Sequence, residues 1–288
     1  MSLLTRPENK WLRWRARAQP SLRGVLFSEP GHPYSPLLNI ESASDKGLPN
    51  DDAAMWESVD LRVDEQRVLY QQLQAVNFPA LPSPPTRYFH DNGWFPLLDA
   101  RMLSSIISRE NPARYLEVGS GFSTAVVLDT LDRTQRQTQI TVIEPDLVRL
   151  RALLRGGDEA RLNVHSCLVQ EVPLEIFETL EAGDVLFIDS SHVAKAGSDV
   201  SFLFLRVLPR LKSGVWVHVH DIFYPESYPL EWVREGRAWN ESLFLRAFLT
   251  GNGSYEVRAF NAMALRLFPD LLAGPFPGGG CSFWMQRR

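Results

Sequence analysis

The chain has 288 residues, 44% of them hydrophobic and 22% charged, the balance of an ordinary soluble globular protein with room for one large domain plus an extension. A net charge of −4 and a pI near 5.9 exclude a general electrostatic footprint for nucleic acid. No apolar run reaches the length of a membrane span and no signal-peptide core follows Met1. The two cysteines, Cys167 and Cys281, fit neither a disulfide nor a metal pattern, so reduced thiols in a cytoplasmic protein are the simplest expectation.

The amino end is basic: Arg6, Lys10, Arg13, Arg15, Arg17 and Arg23 face only Glu8, with Trp11 and Trp14 among them. Such an arm suits a membrane surface or an acidic partner, or a solvated arm that packs its tryptophans on its own domain; its shortness and lack of a long apolar face favour the last. Residues 1 to about 50 otherwise read as an irregular lead-in. Met55, Val59, Val63, Leu69, Leu73 and Val76 then recur at helical spacing and predict one helix over 52–76. The prolines of 78–85 break it. An aromatic, loop-like stretch from Arg87 to Phe95 follows, and Met102, Leu103, Ile106 and Ile107 predict a helix over 99–109.

After Pro112 short apolar runs alternate with helical patterns, the signature of a parallel α/β sheet. Strands are predicted at 114–118, 139–143, 162–168, 184–188, 214–219, 255–260 and 281–286. The intervening helices are placed at 123–131, 146–155, 174–180, 195–208 and 241–249. The expected architecture is therefore α/β: a Rossmann-like, seven-stranded, mostly parallel sheet with helices on both faces and an N-terminal helical extension. The division expected is 1–85 for the extension and 86–288 for the main domain. The oligomeric state is open; the helix at 52–76 suits packing on the core or on a second subunit.

Ligands of an open parallel sheet bind beyond the carboxyl ends of its strands. After strand one come Gly119, Ser120 and Gly121, where glycines permit a sharp turn and backbone amides face a ligand. After strand two comes Glu144, twenty-three residues beyond Gly121 and suited to two ribose hydroxyls. Gln170 follows strand three, where it meets a base edge, and Asp189-Ser190-Ser191-His192 follows strand four. A Gly-x-Gly alone is weak, and Glu144 alone reads as a solvated helix start; together they specify a nucleotide-type ligand. NAD would also suit this frame. Thr124, where the dinucleotide fingerprint wants glycine or alanine, and the acid at Glu117 tilt the choice to S-adenosylmethionine.

Tyr115-Leu-Glu-Val-Gly-Ser-Gly-Phe-Ser-Thr124 resembles the first motif of class I methyltransferases, with Glu for the commoner Asp, and Val142-Ile-Glu-Pro145 resembles their second. Phe187-Ile-Asp-Ser-Ser-His192 and His220-Asp-Ile-Phe-Tyr-Pro225 are similar to a bacterial branch grouped as methyltransferase family 24. The resemblance covers about Tyr88 to the carboxyl end. It implies S-adenosylmethionine as cofactor, with Glu117, Gly119 and Gly121 at its methionine end, Glu144 on the ribose and Gln170 by the adenine. Ser120, Asp189 and Ser190 complete this rim.

The chemistry is expected from Asp189, His192, His220 and Asp221 at the ends of strands four and five. One role is general base, for which His192 has a suitable unperturbed pKa near 6.5. The other is a divalent metal held by Asp189, His220 and Asp221, which would acidify a substrate hydroxyl. Macrocin-type sugar methyltransferases have a similar layout, with an acid where this chain has His220. His218 reads as a core histidine, and a His-x-His metal hydrolase lacks further ligands. The aromatic stretch 222–240 is expected to cover the substrate, with Arg234, Arg237 and Glu241 reading its polar groups or forming surface ion pairs. The acceptor expected is a small molecule methylated on a hydroxyl oxygen, with no Asn/Asp-Pro-Pro-Tyr stretch for nucleic-acid bases. The alternatives are an NAD-dependent oxidoreductase and a non-catalytic S-adenosylmethionine-binding module.

Overall fold

The computed structural model describes residues 51–75, 86–272 and 279–288, together with His32, Tyr34, Ser35 and Leu48. The basic arm and the proline-rich stretch 78–85 lie outside the described residues. Among the described residues seven strands form one sheet: β1 (Arg114–Val118), β2 (Gln139–Ile143), β3 (Leu162–His165), β4 (Val185–Ile188), β5 (Trp216–Val219), β6 (Tyr255–Phe260) and β7 (Phe283–Arg287). Their order is β3-β2-β1-β4-β5-β7-β6. The first five run parallel, and β7 lies antiparallel between β5 and β6. The helices are α1 (Val63–Ala75), α2 (Leu97–Glu110), α3 (Phe122–Thr134), α4 (Val148–Leu153), α5 (Leu174–Glu178), α6 (Asp199–Phe202), α7 (Leu230–Arg234), α8 (Glu241–Leu249), α9 (Asn261–Leu267) and α10 (Pro269–Leu272).

The strand residues alternate between two cores, as the period of two requires. Tyr115, Val185, Phe187, Trp216 and Trp284 pack with α2 and α3 on one face. Leu116, Val118, Leu186, Ile188, Val217 and Met285 pack on the other, with Phe204, Leu245 and Leu249. Both faces are thus covered, as buried parallel strands need. Glu117 shares the alternation of Tyr115 and is fully buried, so the one acid of β1 points into an apolar layer.

Several local expectations change, and the third strand, expected over 162–168, ends at His165. The helix expected over 52–76 is a 3₁₀ turn, Ala53–Trp56, followed by α1. Asp60 accepts from the Arg62 amide and Arg62 takes φ +50°, which turns the chain between them. Trp56 and Tyr70 carry the burial, while Met55 and Val63 are exposed. The helix expected over 195–208 begins only at Asp199, after Gly197 at φ +77°. Ser198 caps it through the Ser201 amide, and it continues as a π turn over Leu203–Val207. The last strand starts at Phe283 rather than Cys281.

The segment 86–96 is pinned to the body by Arg87, which is 7% exposed. Its guanidinium meets Asp129 at 2.8 Å, Asp132 at 2.7 Å and Asp158 at 2.6 Å. Asp129 also accepts from the backbone amides of Arg87 and Tyr88. This anchor delivers Trp94 and Phe95 to the carboxyl end of the sheet.

Candidate active site

The strand order turns back between β1 and β4, so the switch-point crevice opens above these two strands. There the ends of neighbouring strands are tied together. The Gly119 amide donates to Ile143 O, the Asp189 amide to Val118 O, and the His220 amide to Ile188 O. Gly119, at φ +82°, lies so close to β4 that a Cβ would stand 1.7 Å from Asp189 O. Only glycine fits.

Two adjoining clefts, of about 330 and 390 Å³, share Gly119, Glu144, Asp189, Ser190 and Ser191. The second holds Gln170, Leu168 and Pro145. The first holds Ser120, Gly121, Trp94, Phe95, Arg149, Trp239 and the His192, His220 and Asp221 cluster. The structure therefore brings every predicted cofactor residue except Glu117 to the cleft walls. It sets the Gln170 end opposite the histidine end.

Glu117 lies beneath the turn. Its two carboxylate oxygens accept from Ser123 Oγ and Thr124 Oγ1. Burial drives its pKa up to about 8 against the pull of these two hydroxyls. Thr124 also faces the Gly121 amide at 3.4 Å, so the residue that departs from a dinucleotide fingerprint is the partner of the unusual acid. Glu144 accepts from the Ser120 amide at 3.0 Å and the Asp146 amide at 2.8 Å. Each carboxylate oxygen keeps a further lone pair for a diol. Ser120 Oγ, Ser190 Oγ and Gln170 Oε1 are buried with no partner among the described residues.

At the histidine end, the ligand atoms of Asp189, His220 and Asp221 lie within 4.8 Å of one another. His220 Nδ1 is 3.6 Å from both Asp189 Oδ1 and Asp221 Oδ1. His192 Nε2 stands 3.5 Å from Asp189 and 3.4 Å from Asp221, and its Nδ1 meets Glu241 at 2.8 Å. Burial opposes a charge on His192, but the hydrogen bonds to Asp189 and Glu241 outweigh it and raise its pKa to about 10. His220 is likewise buried; the Asp189 and Asp221 carboxylates prevail and raise it well above the ordinary value. Burial works against the Asp189 carboxylate too, yet His220 and His192 hold it ionised below the usual range.

His192 and Asp221 both have left-handed backbones, at φ +60° and +55°. Such strain persists where surroundings over-determine it. Here His192 O accepts from the Asn240 and Glu241 amides, and Asn240 exchanges hydrogen bonds with Ala194, clamping the loop to the start of α8. Glu241 is therefore not a substrate reader: it is fully buried and serves His192. Arg237 stacks on Trp232 at 4.2 Å and pairs with Glu235. Trp239 packs on His192 with ring centroids 4.4 Å apart. Opposite it, Trp94 lies under the Arg149 guanidinium at 3.8 Å. His218 is buried and stacks on Phe187 at 3.7 Å, with Nε2 on Ser282, the core role expected of it. Asp99, which sequence reasoning placed only at a helix start, reaches His220 Nε2 from behind at 3.4 Å. Its acid in a first helical turn carries no signal of a partner 121 residues away.

Strands in this order, with an antiparallel β7 between β5 and β6, define the Rossmann-like methyltransferase fold. Residues 116–222 match the family model described as a methyltransferase domain. The chain is 30% identical over 173 residues to an uncharacterized protein of Archaeoglobus fulgidus, covering 55% of this chain and 75% of that one. Among solved structures it is similar to the SAH-bound Podospora anserina methyltransferase PaMTH1, at 14% identity and a TM-score of 0.44, over 77% of this chain and 87% of that one. It is also similar to the O-methyltransferase from Bacillus cereus in complex with SAH, at 15% identity and a TM-score of 0.41, over 87% and 100%. The chain belongs to the methyltransferase-domain family, as a class I S-adenosylmethionine-dependent methyltransferase. Among the described residues no helix is long and apolar enough to cross a membrane.

Proposed function

We propose that the protein transfers the methyl group of S-adenosylmethionine to a hydroxyl oxygen of a small molecule, in the cytoplasm, with the acceptor seated between Trp94 and Trp239. The observation that carries the cofactor placement is the set of orphaned buried atoms, Ser120 Oγ, Ser190 Oγ and Gln170 Oε1, on the walls where the sequence motifs put the cofactor. Buried polar atoms without partners are uncommon and call for a ligand. Glu144 would take the ribose hydroxyls, and the Gly119–Gly121 turn would let the methionine end approach the backbone. The cofactor's sulfonium would then face the Asp189, His192, His220 and Asp221 cluster.

In the transfer, the acceptor oxygen attacks the methyl carbon in line, the carbon–sulfur bond breaks, and S-adenosylhomocysteine leaves. Alignment supplies much of the rate. The hydroxyl proton moves toward Asp221, while Asp189 stays ionised between His192 and His220. His192 is held as an imidazolium, so its role is to present positive charge where the oxyanion develops rather than to act as a free base of pKa near 6.5. Two carboxylates and an imidazole converging on the cleft fit a divalent cation, and Asp189, His220 and Asp221 would hold it. Such an ion, when bound, supplies Lewis acidity that lowers the pKa of an acceptor hydroxyl. The aromatic walls exclude water and suit a sugar or ring face.

Calorimetry with S-adenosylhomocysteine, S-adenosylmethionine and NAD tests the cofactor. Binding of the sulfur nucleotides and not NAD is expected; the reverse would establish the oxidoreductase alternative. Asp221→Asn is expected to remove turnover on any acceptor while leaving the affinity for S-adenosylhomocysteine intact, because Asp221 lines only the cleft away from Gln170. Wild-type turnover in this variant would displace the reaction centre. Chelation followed by readdition of Mg²⁺ or Mn²⁺ in the same assay is expected to abolish and restore turnover. A rate indifferent to chelation would remove the cation from the scheme.

A further inference from the structure

The buried groups behind His220 have no part in the chemistry above. Asp99, in the first turn of α2, is fully buried. Its Oδ1 accepts from Asn261 Nδ2 at 2.5 Å, the Ser282 amide at 3.0 Å and the Cys281 amide at 3.2 Å. Its Oδ2 accepts from the Cys281 amide at 2.9 Å and faces His220 Nε2 at 3.4 Å. Asn261 is itself fixed, since its Oδ1 accepts from the Tyr70 hydroxyl at 2.5 Å. Tyr70 belongs to α1 and is fully buried, as are Asn261 and Asp99. A continuous buried chain therefore runs Tyr70–Asn261–Asp99–His220 and ends at the Asp189–Asp221 pair. Its first three members lie outside residues 116–222, the span of the family match.

We propose that Asp99 is a positioning residue for methyl transfer. By accepting from Nε2–H of His220 it holds the ring with Nδ1 turned to the Asp189–Asp221 pair, and Tyr70, through Asn261, fixes the orientation of Asp99. This rests on the placement of the reaction at that pair. The hydrogen bond made by one ring nitrogen of a histidine sets what the other can do. With Nε2–H held by Asp99, the ring keeps its Nδ1 edge turned to the Asp189–Asp221 pair.

The nearest isostere separates a positioning role from a structural one. In Asp99→Asn the side-chain oxygen stays where three donors converge, on the Oδ1 side. The NH₂ then replaces Oδ2, and a donor faces Nε2–H and the Cys281 amide where an acceptor stood, so the ring loses the partner that orients it. A purely structural Asp99, one that only ties α2 to the start of β7, would change stability and leave the orientation of His220 and kcat unchanged.

Side-chain ¹H–¹⁵N correlation spectra of the full chain, with His220 assigned from a His220→Gln sample, test this directly. Wild-type His220 is expected to show an Nε2–H signal protected from exchange by its hydrogen bond to Asp99, and Asp99→Asn is expected to lose that signal. The same variant is expected to lose about 10- to 100-fold in kcat, the usual effect of removing an orienting partner, with the affinity for S-adenosylhomocysteine unchanged. Tyr70→Phe should lower kcat by a smaller factor, again without weakening that affinity. A wild-type ring protonated on Nδ1 alone, or wild-type kcat in Asp99→Asn, overturns the proposal. Should Asp99→Asn not fold, the wild-type spectrum and Tyr70→Phe decide, and an unchanged kcat in Tyr70→Phe overturns it. Failure of the wild type to bind S-adenosylhomocysteine would overturn the proposed function, while the histidine spectrum would still judge Asp99.

Discussion

Glu117 begins the cofactor motif and is also the least comfortable residue in it. Its pKa rises from an ordinary 4.5 to about 8 because burial disfavours the carboxylate more than Ser123 and Thr124 favour it. Between these values the folded chain keeps a proton that the unfolded chain releases. The folded state then binds more protons, so this group makes stability fall as pH rises from about 4.5 through 8. Glutamine has the shape of the protonated acid and no charge at any pH, and the two hydroxyls that face it can rotate to accept. Glu117→Gln is therefore expected to melt progressively higher relative to wild type as the pH goes from 5 to 8, measured without cofactor by circular dichroism. A difference in melting temperature that is the same at both pH values would show that Glu117 is ionised in the fold. The sequence shows an acid at this position but not its burial, because a single Glu in a strand of apolar residues fits either a cleft or a core. Asp99 and Glu241 are illegible for a related reason. Each reads as the ordinary first-turn acid of a helix, and each meets its histidine only after folding brings distant elements together.

At the scale of elements, the strands were readable because a parallel sheet buried on both faces demands continuous apolar runs bounded by turn residues. Their carboxyl ends followed from that, and with them the positions of Gly119, Glu144, Gln170, Asp189 and Asp221. The loops were not readable, since what fixes them is long-range. Arg87 sits 42 residues before Asp129 and 71 before Asp158, and nothing local marks it as their partner. This buried pairing is what presents Trp94 and Phe95 to the cleft. Removing the guanidinium takes the ion-pair partner from two nearly fully buried carboxylates, a loss of about 3–5 kcal/mol. Arg87→Met is expected to show that loss in urea unfolding. It should also raise the KM of the acceptor more than it weakens S-adenosylhomocysteine, because the detached segment bears Trp94 rather than Glu144. Lysine does not replace the fork that spans three acids, so Arg87→Lys should recover little. An Arg87→Met chain as stable as wild type would reduce the anchor to a surface feature.

Over the whole molecule, the division expected from the sequence, an extension at 1–85 and a catalytic domain at 86–288, can be put to a direct test. Trp56 and Val59 belong to the core on one face of the sheet, while Tyr70 and Leu73 belong to the core on the other. The stretch 51–75 therefore closes the β6 edge on both sides, with Trp56 packed on Phe260 and Phe283 at ring separations of 5.0 and 6.1 Å. Gln66 adds a polar tie by donating to Leu61 O and accepting from the Phe260 amide. Truncating a single large buried side chain typically costs about 2–5 kcal/mol. Losing Trp56, Tyr70 and Leu73 together then matches the roughly 5–15 kcal/mol that holds a whole domain folded. A fragment of residues 86–288 is expected to lack a cooperative thermal transition and to fail to bind S-adenosylhomocysteine, although every residue of the proposed cofactor cleft is present in it. The comparison is a pair of calorimetric scans, fragment against full chain. A fragment that melts cooperatively near the full-chain temperature and binds S-adenosylhomocysteine would make 86–288 an autonomous domain and the 51–75 stretch a dispensable cover. The expected outcome instead makes that stretch a structural part of the enzyme, placed where Tyr70 begins the buried chain to His220.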